Sequence, residues 1–401
     1  AFAKDNANIW AVNQLFNGLV EMDDHMKIIP SIAKKWDISE NGTLYTFYLR
    51  KDVYFHSHEK FGTNTTRSVN AADFEFSFKR LMDPKVASPG GWVLKNVKEF
   101  SVIGSYKFKI KLKKPFASFL ELLTMKYCSV VPKEIVDYYG VDFRNNPVGT
   151  GPFFFKNWSE NNKLVFRKNK KYFETDEEGK RLPYLEAVAI TFLPEKQSEY
   201  SQFIQGNIDF ISGLDATYKD HILNPYGLLQ KKHLKNINMI RGPYLNTEYL
   251  GFFMDSDVDE VKSNLLRQAF NYGFDRKKMI KYLRNNIGNV GEGGFIPKGL
   301  PGFNSNIGFK YNPKKAKGLV DEYKKLNKKN STPSLNVETT KNYLSFCEFI
   351  QRSLLDIGIK MTINVMPGSA LKSAKANGKT NIFRASWVCL LYTSPSPRDL
   401  H

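Results

Sequence analysis

The chain has little cysteine, little histidine and no long apolar run, and each scarcity closes off a class of protein. Three cysteines in 401 residues cannot build a disulfide framework. No apolar stretch approaches the roughly 18 residues that a membrane-crossing helix needs. The six histidines are His25, His56, His58, His221, His233 and His401. His58-Glu59 has no second histidine at helical spacing, and His56 with His58, at the exit from a strand, reads as a solvated pair, so no metal is expected. A nucleophile elbow, a phosphate-cradling loop and a complete dinucleotide fingerprint are all missing. Gly149-Thr150-Gly151 runs into Pro152 and Phe153 and opens no helix. Carboxylate pairs such as Asp23-Asp24 and Glu177-Glu178 lie in polar stretches with nothing to mark them as acid and base. Neither an enzyme nor a cofactor is read from these residues.

Acidic residues are also outnumbered, 40 against 59 Lys+Arg, for a net charge of +19. Such an excess can serve nucleic acid or an anionic membrane, but the lysines are dispersed. Lys107, Lys109, Lys111 and Lys113 alternate with Phe108, Ile110 and Leu112, which predicts a half-buried strand with a lysine face. That face is read as keeping a sheet edge soluble. Lys324, Lys325, Lys328 and Lys329 follow a helix whose C-terminal dipole they suit. The basic residues are taken as a solvated surface, with no nucleic-acid partner. What remains is ordinary for a folded protein of two or three domains: 42% hydrophobic and 25% charged residues, with 31 Phe and 20 Tyr.

Local patterns predict the elements. A helix is expected from Ile9 to Val20 and a strand over 43–55 after the Asn41-Gly42 turn. Asn70 reads as an N-cap with Asp73 closing a capping box, and Phe74, Phe78, Leu81 and Met82 follow at helical spacing. Two strands lie within 100–113, and 116–127 is a short buried helix. Pro147–Pro152 is a rigid turn cluster. Strands follow at 153–158, 163–167 and 186–193, then a helix near 200–205 and a short strand Ile208–Ile211. Residues 244–254 are extended. Helices run over 263–273, after Asp275 and after Asn312-Pro313, with a Gly/Pro-rich loop at 286–306. Residues 334–388 read strand–helix–strand–helix–strand, a parallel α/β unit. Gly358 fits the position just past the helix 341–357. Cys128 and Cys347 lie in apolar contexts and are expected to be buried, inert thiols.

Several of these segments, in order, resemble one family. They are Pro30–Trp36, Asn41–His56, Asn70–Phe74 with Ser77, Phe78 and Arg80, Val148–Phe153, Gly206–Asp209, Leu266–Phe270, Asp275-Arg276 and Tyr311–Ala316. Together they resemble the peptide/nickel-type extracellular solute-binding proteins of ABC importers, the dipeptide- and oligopeptide-binding group. The resemblance spans residues 9–388. It implies an α/β fold of two lobes joined by a hinge: a mixed α+β lobe I from 1–35 and 150–250, with 36–149 as its accessory part, and an α/β lobe II from 251–388. It implies a monomer outside the inner membrane, periplasmic or otherwise extracytoplasmic, with a lipid anchor left open. Short peptides would be captured between the lobes and passed to an ABC permease. A metal chelate, haem or a sugar is the alternative ligand, and a peptidase the alternative of another class.

The same resemblance implies the site residues. Tyr244 and Tyr249 match aromatics that line the peptide cleft, and Trp92 follows a stretch that faces the ligand. Arg384 matches an arginine that meets a peptide carboxylate, with an inter-strand salt bridge as its structural alternative. Ser386 and Trp387 stand just before the aspartate that anchors the peptide amine in the family. Ser212 and Gly213 lie at a strand end expected to face the cleft. After Val388 the chain departs from the family. Back-translation of Cys389–Asp399 fits a transposon sequencing adapter, so 389–401 is expected to be a non-native tail, with the family's C-terminal part missing. The start at Ala1 also lacks the family's first strand, and no lipid-bearing cysteine is seen.

Overall fold

Alternating burial along two neighbouring segments builds the first sheet. A computed structural model of the chain describes residues 6–215, 218–242, 245–300, 302–328 and 331–388. They divide into two compact units, one ending at Leu193 and one covering Pro194–Val388. In the first, α1 (Asn6–Leu15) leads to a ribbon of β1 (Val20–Met22) and β2 (Ile28–Pro30). A four-stranded antiparallel sheet follows, made of β3 (Ala33–Ile38), β4 (Leu44–Leu49), β5 (Val97–Val102) and β6 (Lys107–Leu112), in the order β3-β4-β6-β5. Tyr45, Phe47 and Leu49 of β4 and Phe108, Ile110 and Leu112 of β6 are all buried on one face.

Onto that face α2 (Ala71–Met82) lays Phe74 and Phe78, with ring centroids 6.1 and 5.8 Å from Phe108. The helix starts where the capping box requires. Asn70 Oδ1 accepts from the Ala72 and Asp73 N–H groups, and Asp73 Oδ2 accepts from the Asn70 N–H. Cys128 is buried, and burial pushes its thiol up to about 12. Helices α3 (Phe119–Leu123) and α4 (Lys133–Tyr139) close this core. A second sheet, β7 (Phe153–Ser159), β8 (Lys163–Lys168) and β9 (Ala187–Thr191), packs Phe153 and Phe166 against Leu15 and Phe16.

Three expectations for this unit need correction. The helix expected over 9–20 ends at Leu15, because Leu19 and Val20 turn away into the main core. The strand expected over 43–55 ends at Leu49, where Arg50 and Asp52 pair at 2.8 Å. The lysine-faced strand β6 is not an edge, since β4 and β5 flank it.

The solvated histidine pair is corrected as well. His56 is buried. Its Nδ1 accepts from the Gly149 N–H at 3.2 Å, which leaves Nε2–H to donate to the Gly151 carbonyl at 3.0 Å. Burial depresses this imidazole to about 4. The glycines of the turn are demanded by close approach. A Cβ on Gly149 would lie 2.0 Å from the Leu15 carbonyl oxygen, and one on Gly151 2.5 Å from that of Gln14. Thr150 Oγ1 bonds the Asn17 side chain at 2.9 Å, and Asn17 donates to Tyr172 at 3.3 Å.

The second unit begins with α5 (Lys196–Ile204) and α6 (Lys219–Ile222). Its sheet holds β10 (Asn246–Phe252), β11 (Ser334–Thr339), β12 (Lys360–Val365) and β13 (Ile382–Val388) in the order β10-β13-β11-β12. β11 runs parallel to both β12 and β13, and β10 is antiparallel to β13. The expected α/β unit is therefore present, with α11 (Leu344–Asp356) and α12 (Gly368–Ala376) as its connecting helices. Gly358 follows α11 with φ +86°, the left-handed residue that ends such helices. Between β10 and β11 lie α7 (Asp259–Lys262), α8 (Asn264–Tyr272), α9 (Arg276–Arg284) and α10 (Pro313–Leu326). Ser263, Asp275 and Asn312 cap the last three of these through their side chains. Leu266, Phe270, Val320, Leu335, Val337, Leu354 and Ile382 form the core.

Residues 150–250 were expected to go with the first lobe. The compact units divide after Leu193, and β10 hydrogen-bonds into the second unit's sheet. The short strand expected at Ile208–Ile211 does not form. The run lies between Gly206 and Gly213, both at positive φ, and Phe210 is exposed.

Candidate functional site

The register of β10 against β13 sorts the candidate residues. Thr247 faces Trp387, Glu248 faces Ser386, Tyr249 faces Ala385, Leu250 faces Arg384 and Gly251 faces Phe383. Side chains alternate along a strand. Leu250 and Ile382 point to the helical core, so Glu248, Arg384 and Ser386 share that face. Tyr249 and Trp387 share the other.

On the first face Arg384 is the centre. Its guanidinium pairs with the Glu248 carboxylate and lies over the Tyr343 ring, 3.2 Å from the centroid. Asn246 Nδ2 donates to Glu248 Oε1 at 2.7 Å. The Arg384 side chain is only 17% exposed, and its Nε has no hydrogen-bond partner among the described residues. The pair is thus the inter-strand bridge foreseen as the alternative, with one donor left over. Burial, and then the Glu248 charge, push the Tyr343 phenol up.

On the opposite face Tyr249 meets Phe295 edge-on at 5.1 Å, and Phe295 lies 6.3 Å from Trp387. Thr247 Oγ1 donates to the Phe295 carbonyl at 2.8 Å, which holds the loop against the strand. Phe295 and Trp387 are each about half exposed. The three rings form an open aromatic wall.

Between the faces runs a strand edge. β13 pairs with β11 only at Ile382 and Phe383, while its pairing with β10 continues to Val388. From Ala385 to Val388 the side of β13 away from β10 has no partner strand among the described residues.

Other candidates are placed elsewhere. Trp92 belongs to the first unit, in a helical turn over Gly91–Leu94 whose Val93 and Leu94 point inward while Trp92 is 47% exposed. Ser212 and Gly213 lie on an exposed bend with no strand before them, so the expected strand end is absent there. Tyr244 lies outside the described residues, as does the tail 389–401. Glu248, Tyr343 and Phe295 were missed. Alternation with Tyr249 could have revealed Glu248; nothing periodic marks Phe295 in its loop. No group of three or more His, Cys, Asp or Glu able to hold a metal occurs among the described residues. None of the described helices is long and apolar enough to cross a membrane.

The model of the bacterial extracellular solute-binding proteins, family 5 (middle), matches residues 27–397. A dipeptide-binding protein of Escherichia coli K12 is 28% identical over 329 residues, which cover 77% of this chain and 57% of that relative. Heme-binding protein A of Haemophilus influenzae is 29% identical over 331 residues, 77% of this chain and 56% of its own. The chain thus spans little more than half the length of either. Among solved structures, a periplasmic binding protein of Helicobacter pylori in complex with the peptide STSA superposes with a TM-score of 0.81 at 26% identity. That match covers 97% of this chain and 77% of the other.

Proposed function

The chain belongs to the bacterial extracellular solute-binding proteins, family 5, and from that premise we propose that it captures short peptides outside the inner membrane for an ABC-type permease. The observation that carries this reading is the edge of β13 at Ala385–Val388, beside Arg384 and Trp387, where no described strand pairs on the side away from β10. A peptide added there as a strand gains main-chain hydrogen bonds whatever its side chains are. Its side chains would alternate between the two faces, so one peptide meets both the Arg384 guanidinium and the aromatic wall. Arg384 suits a carboxylate, because its fork offers two parallel donors. Tyr249, Phe295 and Trp387 offer flat apolar surface with polar tips on Tyr and Trp. No catalytic step is required of these groups. The receptor acts as an extracytoplasmic monomer, and a lipid anchor would keep it near its permease.

Calorimetric titration with tetra-alanine, nickel–histidine, haem and an oligosaccharide tests the reading. The expected result is saturable binding of the tetrapeptide alone, with the peptide recovered intact by mass spectrometry. Binding of haem, the chelate or the sugar without the peptide would transfer the reading to that ligand. Cleavage of the peptide would make the protein a peptidase. The dipeptide- and haem-binding relatives make the tetrapeptide and haem arms the important ones.

A further inference from the structure

Peptide capture leaves the lysine row of β6 without a role. Lys107, Lys109 and Lys111 stand in line on the face of the sheet β3-β4-β6-β5 opposite its core, about 6.8 Å apart along the strand. The register brings Lys35 onto the same face, since Lys35 pairs with Tyr48 and Tyr48 with Lys107. The Tyr48 ring lies between those two ammonium groups, 4.8 and 5.3 Å from its centroid. Lys35 and Lys111 are exposed, and Lys107 and Lys109 half-buried. Two carboxylates share the face. Asp37 is hydrogen-bonded with the Tyr48 hydroxyl, and Glu99 accepts from Ser101 at 3.3 Å. Among the described residues none of the four ammonium groups is within ion-pairing distance of a carboxylate.

A row of like charges on one strand repels itself, and the two carboxylates of the face, Glu99 opposite Lys111 and Asp37 two residues after Lys35, offset that repulsion only in part, since neither closes an ion pair with the row. It does not guard an edge either, because β6 lies between β4 and β5. We propose that this face docks on an anionic phospholipid surface. Several phosphate headgroups side by side complement several unpaired ammonium groups on flexible arms, and each lysine near such a surface adds to the attraction. A single nucleic-acid strand fits less well. Its recognition uses a groove with several aromatic platforms, and this face carries Tyr48 alone, already covered by Lys35 and Lys107. The family is extracellular, so the opposed surface is the outward leaflet of a membrane. Such docking would hold the receptor flat on the bilayer that carries its permease.

Co-sedimentation with phosphatidylglycerol/phosphatidylcholine vesicles, against phosphatidylcholine alone, tests the proposal. The full chain is compared with a triple variant, Lys107→Gln, Lys109→Gln and Lys111→Gln. A second triple variant, Lys314→Gln, Lys317→Gln and Lys325→Gln on α10, loses the same charge from the other unit. At about fivefold per lysine, the β6 variant should lose about a hundredfold in partition to anionic vesicles. The α10 variant should lose under about fivefold, and added salt should release the wild type. Thermal melts monitor folding. If the triple variant melts lower, Lys111→Gln alone repeats the test at about fivefold. Equal losses in both triple variants would reduce the effect to net charge and overturn the proposal. So would indifference to phosphatidylglycerol, or tighter binding to single-stranded DNA than to vesicles.

Discussion

At His56 two backbone groups of the glycine turn hold the imidazole neutral, one by donating to Nδ1 and one by accepting from Nε2–H. Protonation would remove the Nδ1 acceptor and charge a buried ring. The folded value lies at about 4, against an ordinary 6.5. Between those values the unfolded chain binds the extra proton, so the stability contributed by neutral His56 is complete above pH 6.5 and is lost as pH falls toward 4. The full difference is about 3 kcal/mol. Urea denaturation between pH 7 and 4 should show a loss in the wild type that exceeds the loss in His56→Gln by about that amount. Matching pH profiles would show that His56 is not the titrating group.

The ligand groups make a second residue-scale case. In a peptide-binding protein, Arg384→Ala or Tyr249→Ala should each weaken tetrapeptide binding by at least about 1 kcal/mol by calorimetry. Glu248 already occupies Arg384 and would compete with a peptide carboxylate. Glu248→Gln should therefore tighten binding of free-carboxylate peptides and leave C-terminally amidated ones unchanged. Unchanged affinity in all three variants would remove both faces of the β10–β13 pair from the site.

Helix and turn signals give element-scale predictions. The capping box at Asn70 and Asp73 starts α2, so Asn70→Ala should cost about 1 kcal/mol in denaturant melts. Gly149→Ala places a methyl group against a backbone oxygen that cannot rotate away. It should cost about 3 kcal/mol or more. A smaller loss would mean that the turn relaxes away from α1. These elements were legible because their causes are local: side-chain caps, alternation and a glycine past a helix. Cross-strand context was not legible. The lysine alternation predicted the half-buried strand β6 correctly but took it for an edge, because neighbours in a sheet are set by register and not by the strand's own residues. Ile208–Ile211 failed for the same reason, as an apolar run is a strand only where another strand accepts it.

Over the whole molecule the two units carry separate cores. Calorimetric unfolding should therefore depart from a single two-state transition. Phe108→Ala, which empties a fully buried position in the first core, should lower one transition by about 3–5 kcal/mol. The other transition should stay in place. A single sharp transition shifted as a whole would show that the units unfold together.

Much at this scale could be read in one dimension. Family membership, the α/β order of residues 334–388 and the burial of Cys128 follow from motifs and periodicities carried in short stretches of chain. The candidate site divided along the same line. Tyr249, Arg384 and Trp387 were named from the sequence, but their assignment to opposite faces of one sheet, the capture of Arg384 by Glu248, the approach of Phe295 and the edge at Ala385–Val388 that no described strand covers were not. Each of those depends on which distant segments become neighbours. That is decided when β10, β11 and β13 choose partners and register, through burial and hydrogen bonding among residues far apart in the chain, such as Glu248 and Arg384.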